Sequence, residues 1–379
     1  MKILVTGANG FIGKNLCLEL KNRGYGDIFK YDLDTPSDLL LEYSRQCGFV
    51  FHLAGVNRPK SDNEAESEAE LIEGNFNFTS TLLQALKQNN NKAPVLISSS
   101  IHVDTNPNSP YSLSKKKAED LLFSYGKEQD VKVFVYRLPN VFGKWCRPNY
   151  NSAVATFCHN MAHDIPITVN NPATSLKLVY IDDVVNEFIS ALEGKAVMDG
   201  EFCSIPIVHE ETLGEIIRLL ESFKESRRNL SIPELSNPFI KKLYATYLSC
   251  LPTGKFNYPL RTNKDDRGSF SEVLKTQDRG QIAVNVIKPG IEKGNHFHNT
   301  KCEKFLVVSG KGLIQFRKPD EDEIYEYFVS EEKLEVIDIP PGYTHSIKNL
   351  GETNLVTIIW ASEVFDPEKP DTIMLRVKE

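Results

Sequence analysis

The segment TGANGFIG, Thr6 to Gly13, stands directly after the apolar run Lys2 to Val5. It leads into a helix-period stretch in which Ile12, Leu16 and Leu20 share a face. A strand, a glycine turn and a helix in that order bring backbone amides and a helix N-terminus to one point, which suits a pyrophosphate. Gly7, Gly10 and Gly13 permit the close approach. Moving outward, Val50 to Leu53, Val95 to Ile97 and Val131 to Tyr136 read as further buried strands, and Leu82, Leu83 and Leu86 mark a second apolar helix face. The alternation predicts an α/β domain built on a doubly wound parallel sheet with helices on both faces. Asp32, near the end of the second strand, is placed to accept hydrogen bonds from an adenosine ribose. Its charge repels a 2′-phosphate and so favours NAD(H) over NADP(H).

From about Lys264 the apolar period changes to two. QIAVNVIKPG, EKFLVVSGKGLIQFRK, EIYEYFVS, KLEVIDIPPG and NLVTIIWAS are strands separated by Gly, Pro, Asn or charged turns, the pattern of an all-β sandwich or barrel. Between the two patterns, Arg227 to Pro259 carries Pro233, Pro238, Pro252 and Pro259 around a helix-like Phe239 to Cys250, and is predicted to be the connector. A chain of 379 residues accommodates two domains, and the expected division is 1–250 and 251–379.

Hydrophobic residues make up 41% and charged residues 25%, an ordinary balance for a globular protein. No stretch approaches the roughly 18 to 20 apolar residues of a membrane span. A net charge of -7 argues against a phosphate-tracking surface for nucleic acid, so any phosphate it binds belongs to a small ligand. The N-terminal residues lack the basic and apolar regions of a secretory signal, and the expectation is a cytoplasmic protein. The 7 cysteines are scattered without a Cys-x-x-Cys pair and are read as free thiols.

Tyr111 and Lys115 lie one helical turn apart on a predicted helix, and Ser98, Ser99 and Ser100 close the strand before it. In that set Tyr111 donates a proton to a substrate carbonyl oxygen as hydride reaches the carbon. Lys115 lowers the phenol pKa and a serine hydroxyl fixes the oxygen. With TGANGFIG, HLAG at His52 to Gly55, NFNFTSTLL from Asn75, YSLSK at Tyr111 to Lys115 and RLPNVFG at Arg137 to Gly143, the first half resembles the extended short-chain dehydrogenase/reductase family, its nucleotide-sugar branch in particular. The resemblance implies catalytic roles for Ser100, Tyr111 and Lys115. It implies cofactor contacts at Gly7, Asn9, Gly10, Phe11, Ile12, Gly13, Leu53, Ala54, Gly55 and Ser98, and substrate contacts at Asn140 and Arg147. Where the family's 4,6-dehydratases carry an acid pair, Ile101 and His102 stand here, which disfavours dehydration.

In the second half, His296, His298, Glu303 and His345 are the ligand types of a borderline divalent metal such as zinc. A His-x-His pair on a strand puts both imidazoles on one sheet face. Gly290, His296, His298, Glu303 and Gly310, then Pro340, Gly342, His345 and Asn349, resemble the two motifs of the cupin family, with Leu334 in place of the glycine that opens the second. DDRGSF, Asp265 to Phe270, resembles the first strand of cupin epimerases acting on keto-deoxysugars, which assigns Arg267 to a substrate pyrophosphate. His298, Lys301 and Tyr343 lie near the motif, and none is singled out as a proton-abstracting base.

Taken together with HLAGVNRP and FGKWCRPNYNS, the domain order resembles a family of bifunctional capsular-polysaccharide enzymes over nearly the whole length. That resemblance implies C3 epimerisation of a UDP-linked 4-keto-deoxy-N-acetylhexosamine in the cupin. NADPH-dependent reduction of C4 then follows in the reductase domain, on the way to UDP-N-acetyl-L-fucosamine. It leaves open NADH against NADPH, and a catalytic against a structural metal. A homodimer is expected from fold analogy with cupins. Two alternatives stand beside it: a redox-neutral 4-epimerase with permanently bound NAD and a dimerising or sugar-sensing cupin, and a non-catalytic scaffold that binds nucleotide sugars.

Overall fold

A computed structural model describes residues 1–378 and divides the chain into two compact units. The first comprises Met1–Glu221 with Ser236–Pro252, and the second comprises Ser222–Leu235 with the chain from Thr253 onward. The division is interleaved, so the stretch read from sequence as a connector contributes to both units.

In the first unit the strands are β1 (Ile3–Thr6), β2 (Ile28–Tyr31), β3 (Phe49–His52), β4 (Val95–Ser100), β5 (Val133–Leu138), β6 (Asn140–Phe142), β7 (Ser175–Tyr180), β8 (Met198–Asp199), β9 (Phe202–Cys203) and β10 (His209–Thr212). Its helices are α1 (Phe11–Asn22), α2 (Asp38–Gln46), α3 (Glu64–Leu71), α4 (Phe78–Gln88), α5 (His102–Thr105), α6 (Pro110–Gln129), α7 (Ala153–Ala162), α8 (Ile181–Leu192), α9 (Leu213–Asn229, which runs on into the second unit) and α10 (Pro238–Ser249).

A seven-stranded sheet runs β2-β1-β3-β4-β5-β9-β8, parallel throughout except for β8. Beside it lies a three-stranded sheet, β10-β7-β6. β1, β3 and β4 are buried at every residue, as strands covered on both faces must be. One face packs Leu16 and Leu20 of α1 with Val184 and Phe188 of α8, and the other packs Leu82, Leu83 and Leu86 of α4 with Leu122 and Tyr125 of α6. The chain passes from β1 to β2 on one side and to β3 on the other. The reversal leaves a crevice beyond the carboxyl ends of β1 and β3, where open α/β sheets hold ligands. α6 begins where Ser109 accepts a hydrogen bond from the Ser112 amide and Pro110 fills the first turn.

The second unit is β-rich and contains β11 (Thr262–Asp265), β12 (Gly268–Thr276), β13 (Gly280–Ile287), β14 (Glu292–Phe297), β15 (Glu303–Ser309), β16 (Lys311–Arg317), β17 (Ile324–Ser330), β18 (Val336–Ile339), β19 (Thr344–Asn349), β20 (Leu355–Ala361) and β21 (Ile373–Met374). They form two sheets, β11-β12-β13-β20-β15-β18 and β17-β16-β19-β14-β21, which are not joined edge to edge into one closed ring. Side chains from both sheets build one core, including Ile287, Phe305, Ile314, Phe316, Ile347 and Leu355. In β13 and β20 buried positions alternate with more open ones, as the period of two predicts. No helix among the described residues is long and apolar enough to cross a membrane.

Candidate functional site

In the first unit the glycine turn lies over the crevice. Gly7 has φ 69°, and a Cβ there would stand 2.7 Å from the Ala54 amide nitrogen, so the two loops meet at a distance only glycine permits. Gly10 caps α1, and Gly13 is buried in its first turn, with Phe11 and Ile12 beside it. The first turn of α1 carries no acidic side chain of its own to compete for its amides and the helix dipole. Asp32 follows β2 directly and accepts hydrogen bonds from the amides of Asn9 (2.7 Å) and Leu33 (3.0 Å), which ties the second strand to the glycine turn.

Ser98, Ser99 and Ser100 are buried at the end of β4. Lys115 is buried one turn along α6 from the half-buried Tyr111, and its Nζ donates to the Ser98 carbonyl oxygen at 3.2 Å. Burial lowers the ammonium to about 8, opposed by the negative charge of Glu119. Burial raises the Tyr111 phenol, and a hydrogen bond with Ser100 pulls it back. The pull on the phenol thus comes from Ser100, while the Lys115 ammonium is directed to a backbone carbonyl. Gly55 closes the pocket from the loop side. A Cβ on it would lie 2.6 Å from Asn75 Oδ1 and 3.0 Å from Lys115 Nζ.

Three side chains to which the sequence reading assigned no role, although His52 and Asn75 open two of its motifs, hold this arrangement. Asn75 is buried in a π-helical turn, Ile72–Asn77. It accepts from the Val56 amide (3.0 Å) and donates to the Val56 carbonyl (2.8 Å) and to Ser114 Oγ (3.0 Å). Glu119, fully buried, accepts from Ser99 Oγ and from the Arg137 guanidinium, which also stacks 3.9 Å from the Phe202 ring centroid. His52 lies between Thr6 Oγ1 (2.7 Å) and Thr79 Oγ1 (2.8 Å), and burial, then the Lys115 charge, pushes it down to about 3. The legible signal for Glu119 was its spacing: Tyr111, Lys115 and Glu119 continue one face of α6.

The outer candidates lie elsewhere. Asn140, on β6, donates to the Lys177 carbonyl at 3.2 Å, bracing β6 against β7. Arg147 is exposed on the loop after β6, with its guanidinium 5.1 Å from the Tyr150 ring centroid.

In the second unit, His296 on β14, His298 just after it, Glu303 at the start of β15 and His345 on β19 come together, with one ligand atom of each within 4.8 Å of the others. His298 and His345 are almost wholly buried. Burial, then the neighbouring imidazoles of His345 and His298, holds His296 down at about 4, so its ring is neutral and offers a lone pair at neutral pH. Burial alone would raise Glu303, but its contacts with the His298 and His345 imidazoles outweigh that and hold the carboxyl well below the usual range. His345 Nε2 is buried without a hydrogen-bond partner among the described residues. Three imidazoles, one carboxylate and an orphaned buried nitrogen fit a divalent ion of the zinc type. Leu334 is exposed, away from these ligands in sequence and burial. Arg267 is exposed at the β11–β12 turn and paired with Asp265 at 2.7 Å. Lys301 is buried with Nζ 3.4 Å from Thr372 Oγ1, and the Tyr343 ring packs toward Tyr325.

Residues 3–202 match the NAD dependent epimerase/dehydratase family, and residues 263–373 match the polysaccharide biosynthesis C-terminal domain. The chain is 42% identical, over all 379 residues and the whole length of both proteins, to UDP-2-acetamido-2,6-beta-L-arabino-hexul-4-ose reductase of Pseudomonas aeruginosa. Among solved structures it is similar to the capsular polysaccharide assembling protein CapF of Staphylococcus aureus, with TM-score 0.93, 49% identity and full coverage of both chains. A UDP-glucuronic acid 4-epimerase from Bacillus cereus shares the fold alone, at TM-score 0.53 and 23% identity, covering 59% of this chain and 83% of its own.

Proposed function

The chain belongs to the NAD dependent epimerase/dehydratase family, continued by a polysaccharide biosynthesis C-terminal domain, and on that premise we propose a bifunctional nucleotide-sugar enzyme with one reaction centre in each unit. In this reading the C-terminal unit is a cupin that epimerises C3 of a UDP-2-acetamido-2,6-dideoxy-4-hexulose. The N-terminal unit then reduces the C4 ketone, giving a UDP-2-acetamido-2,6-dideoxy-L-talose that supplies capsule or surface polysaccharide. The observation that carries it is the end-to-end correspondence to a reductase of a UDP-linked 4-keto sugar, in a chain that sets Tyr111 beside Ser100 and buries Lys115 one helical turn on, against the Ser98 carbonyl.

The order of steps follows from carbonyl chemistry. The C3 hydrogen is acidic only while C4 is a ketone, because its loss then places negative charge on oxygen, so epimerisation precedes reduction. In the reductase unit the glycine turn and the α1 N-terminus hold the pyrophosphate, and Asp32 addresses the ribose. A nicotinamide dinucleotide bound there supplies the hydride. Ser100 Oγ orients the carbonyl oxygen, Tyr111 gives it the phenolic proton, and the Lys115 charge stabilises the phenolate left behind. In the C-terminal unit His296, His298, Glu303 and His345 would hold a divalent ion, which supplies a fixed positive charge for the fold or for an enolate oxygen. Arg147 and Arg267 address substrate phosphates, and Asn140 faces the sugar. Exposed Tyr327, Phe328, Leu334 and Val336 support a homodimer.

The test uses a UDP-4-keto-6-deoxy-N-acetylhexosamine with NADH or NADPH. One reduced nucleotide is consumed per sugar, NADH at least as readily as NADPH. A strong preference for NADPH would show that Asp32 does not meet the ribose, and turnover without any nucleotide consumed would favour a redox-neutral epimerase.

A further inference from the structure

The four candidate ligands sit on the neighbouring strands β14 and β19, on the loop that leads from β14 to β15, and at the start of β15, and a separate piece of chain fastens β14, β19 and that loop. The Asp371 carboxylate accepts hydrogen bonds from three successive amides of that loop, Asn299 (2.9 Å), Thr300 (2.8 Å) and Lys301 (2.9 Å). It also accepts from Asn299 Nδ2 at 3.1 Å and Thr300 Oγ1 at 3.2 Å. Successive amides of this kind form a cradle for an anion, and they hold the Asp371 carboxyl well below the usual carboxylate range. The same residue's backbone carbonyl accepts a hydrogen bond from His298 Nδ1. With Nδ1 carrying the proton, the Nε2 lone pair of His298 is turned toward Glu303, 3.3 Å away, on the ligand side.

The residues after Asp371 continue the fastening. β21 pairs with β14 at His296 and Phe297. The Leu375 amide donates to the Asn295 carbonyl at 2.9 Å, and the Val377 amide to Asn295 Oδ1 at 2.9 Å, while Asn295 itself has φ 62°. The Leu375 carbonyl accepts from Thr344 Oγ1, the side chain next to His345. From these contacts we infer that the C-terminal segment from Asp371 to Val377 is a clasp, and that Asp371 is a positioning residue which fixes the rotamer and tautomer of His298 and the loop to Glu303 before a metal binds. The clasp rests on the metal reading of the cluster. Its consequence is distinct, because it places the control of metal retention far along the sequence from every ligand, on a side chain that touches no ion.

The experiment compares the full chain with Asp371→Ala and Asp371→Asn, each loaded with Zn²⁺ and challenged with a chromophoric chelator, and each loaded in parallel with Co²⁺. Asp371→Ala releases zinc about 10- to 100-fold faster than the unmodified chain, the size of effect that outer partners of metal ligands have. Its cobalt absorption bands shift. Asp371→Asn keeps one acceptor oxygen and the backbone carbonyl, and restores both readouts part of the way; if Asp371→Ala fails to fold, this variant decides alone. An unmodified chain that takes up neither ion overturns the metal reading and the clasp with it. Retention by the unmodified chain, with zinc release and cobalt spectra unchanged in the variants, overturns the clasp and leaves the metal reading intact.

Discussion

Three atoms carry the proposed reduction: the oxygens of Ser100 and Tyr111 and the nitrogen of Lys115. Removal of the Tyr111 hydroxyl by Tyr111→Phe takes away the proton donor, and nucleotide oxidation is expected to fall by about 100-fold or more, as read by the absorbance of the reduced nicotinamide. On the proposed function, deuterium exchange at C3 of the sugar is expected to continue in the same variant, because the proposed C-terminal centre does not use Tyr111. The ammonium of Lys115 sets the pH range. Its folded value of about 8 lies below the ordinary lysine value, so the cation is complete below that pH and lost as pH rises through it. A profile of the reductase rate is therefore expected to bend downward near pH 8, and a rate still rising well beyond it would show that the charge is not required. Gly55→Ala drives a methyl group toward Asn75 and Lys115 and lowers the same rate without touching C3 exchange.

At the scale of elements, β1, the glycine turn and the apolar faces of α1 and α4 were legible because buried parallel strands read as continuous apolar runs and amphipathic helices carry their period openly. The tyrosine and lysine spacing was legible for the same reason, being a property of one helix. What was hidden depends on contacts between elements. Asn75 sits in a π-helical turn that no local pattern announces, and its role appears only when Val56 and Ser114 approach it. Replacement by Ala leaves the half-buried Val56 amide and carbonyl without these partners, at a cost of about 1 kcal/mol, measurable by urea unfolding. Glu119 lies on the same face of α6 as Lys115 and raises its affinity for the proton. Glu119→Gln removes that charge, so the alkaline limb of the reductase profile moves to lower pH; an unmoved limb would separate the Glu119–Arg137 pair from catalysis. In the β-rich unit the period of two was plain, but the hold of Asp371 on the loop after His298 joins positions too distant in sequence for any periodicity to connect.

At the scale of the whole molecule, the proposed function divides one chemical problem between the two units. In the proposed function the ketone at C4 both acidifies the neighbouring C–H bond and receives the hydride, so one substrate would pass through two centres that need different surroundings, one suited to proton exchange and one to hydride transfer. His296→Ala is expected to weaken retention of a divalent ion while leaving nucleotide binding to the first unit unchanged, which elemental analysis and nucleotide titration read separately. The most direct measurement follows the sugar by NMR when the purified chain is incubated in D₂O with a UDP-4-keto-6-deoxy-N-acetylhexosamine, first without and then with reduced nucleotide. The account predicts deuterium at C3 before nucleotide is added and conversion of the C4 carbonyl to an alcohol after it. A sugar that keeps its C3 hydrogen and its carbonyl through both stages would contradict it.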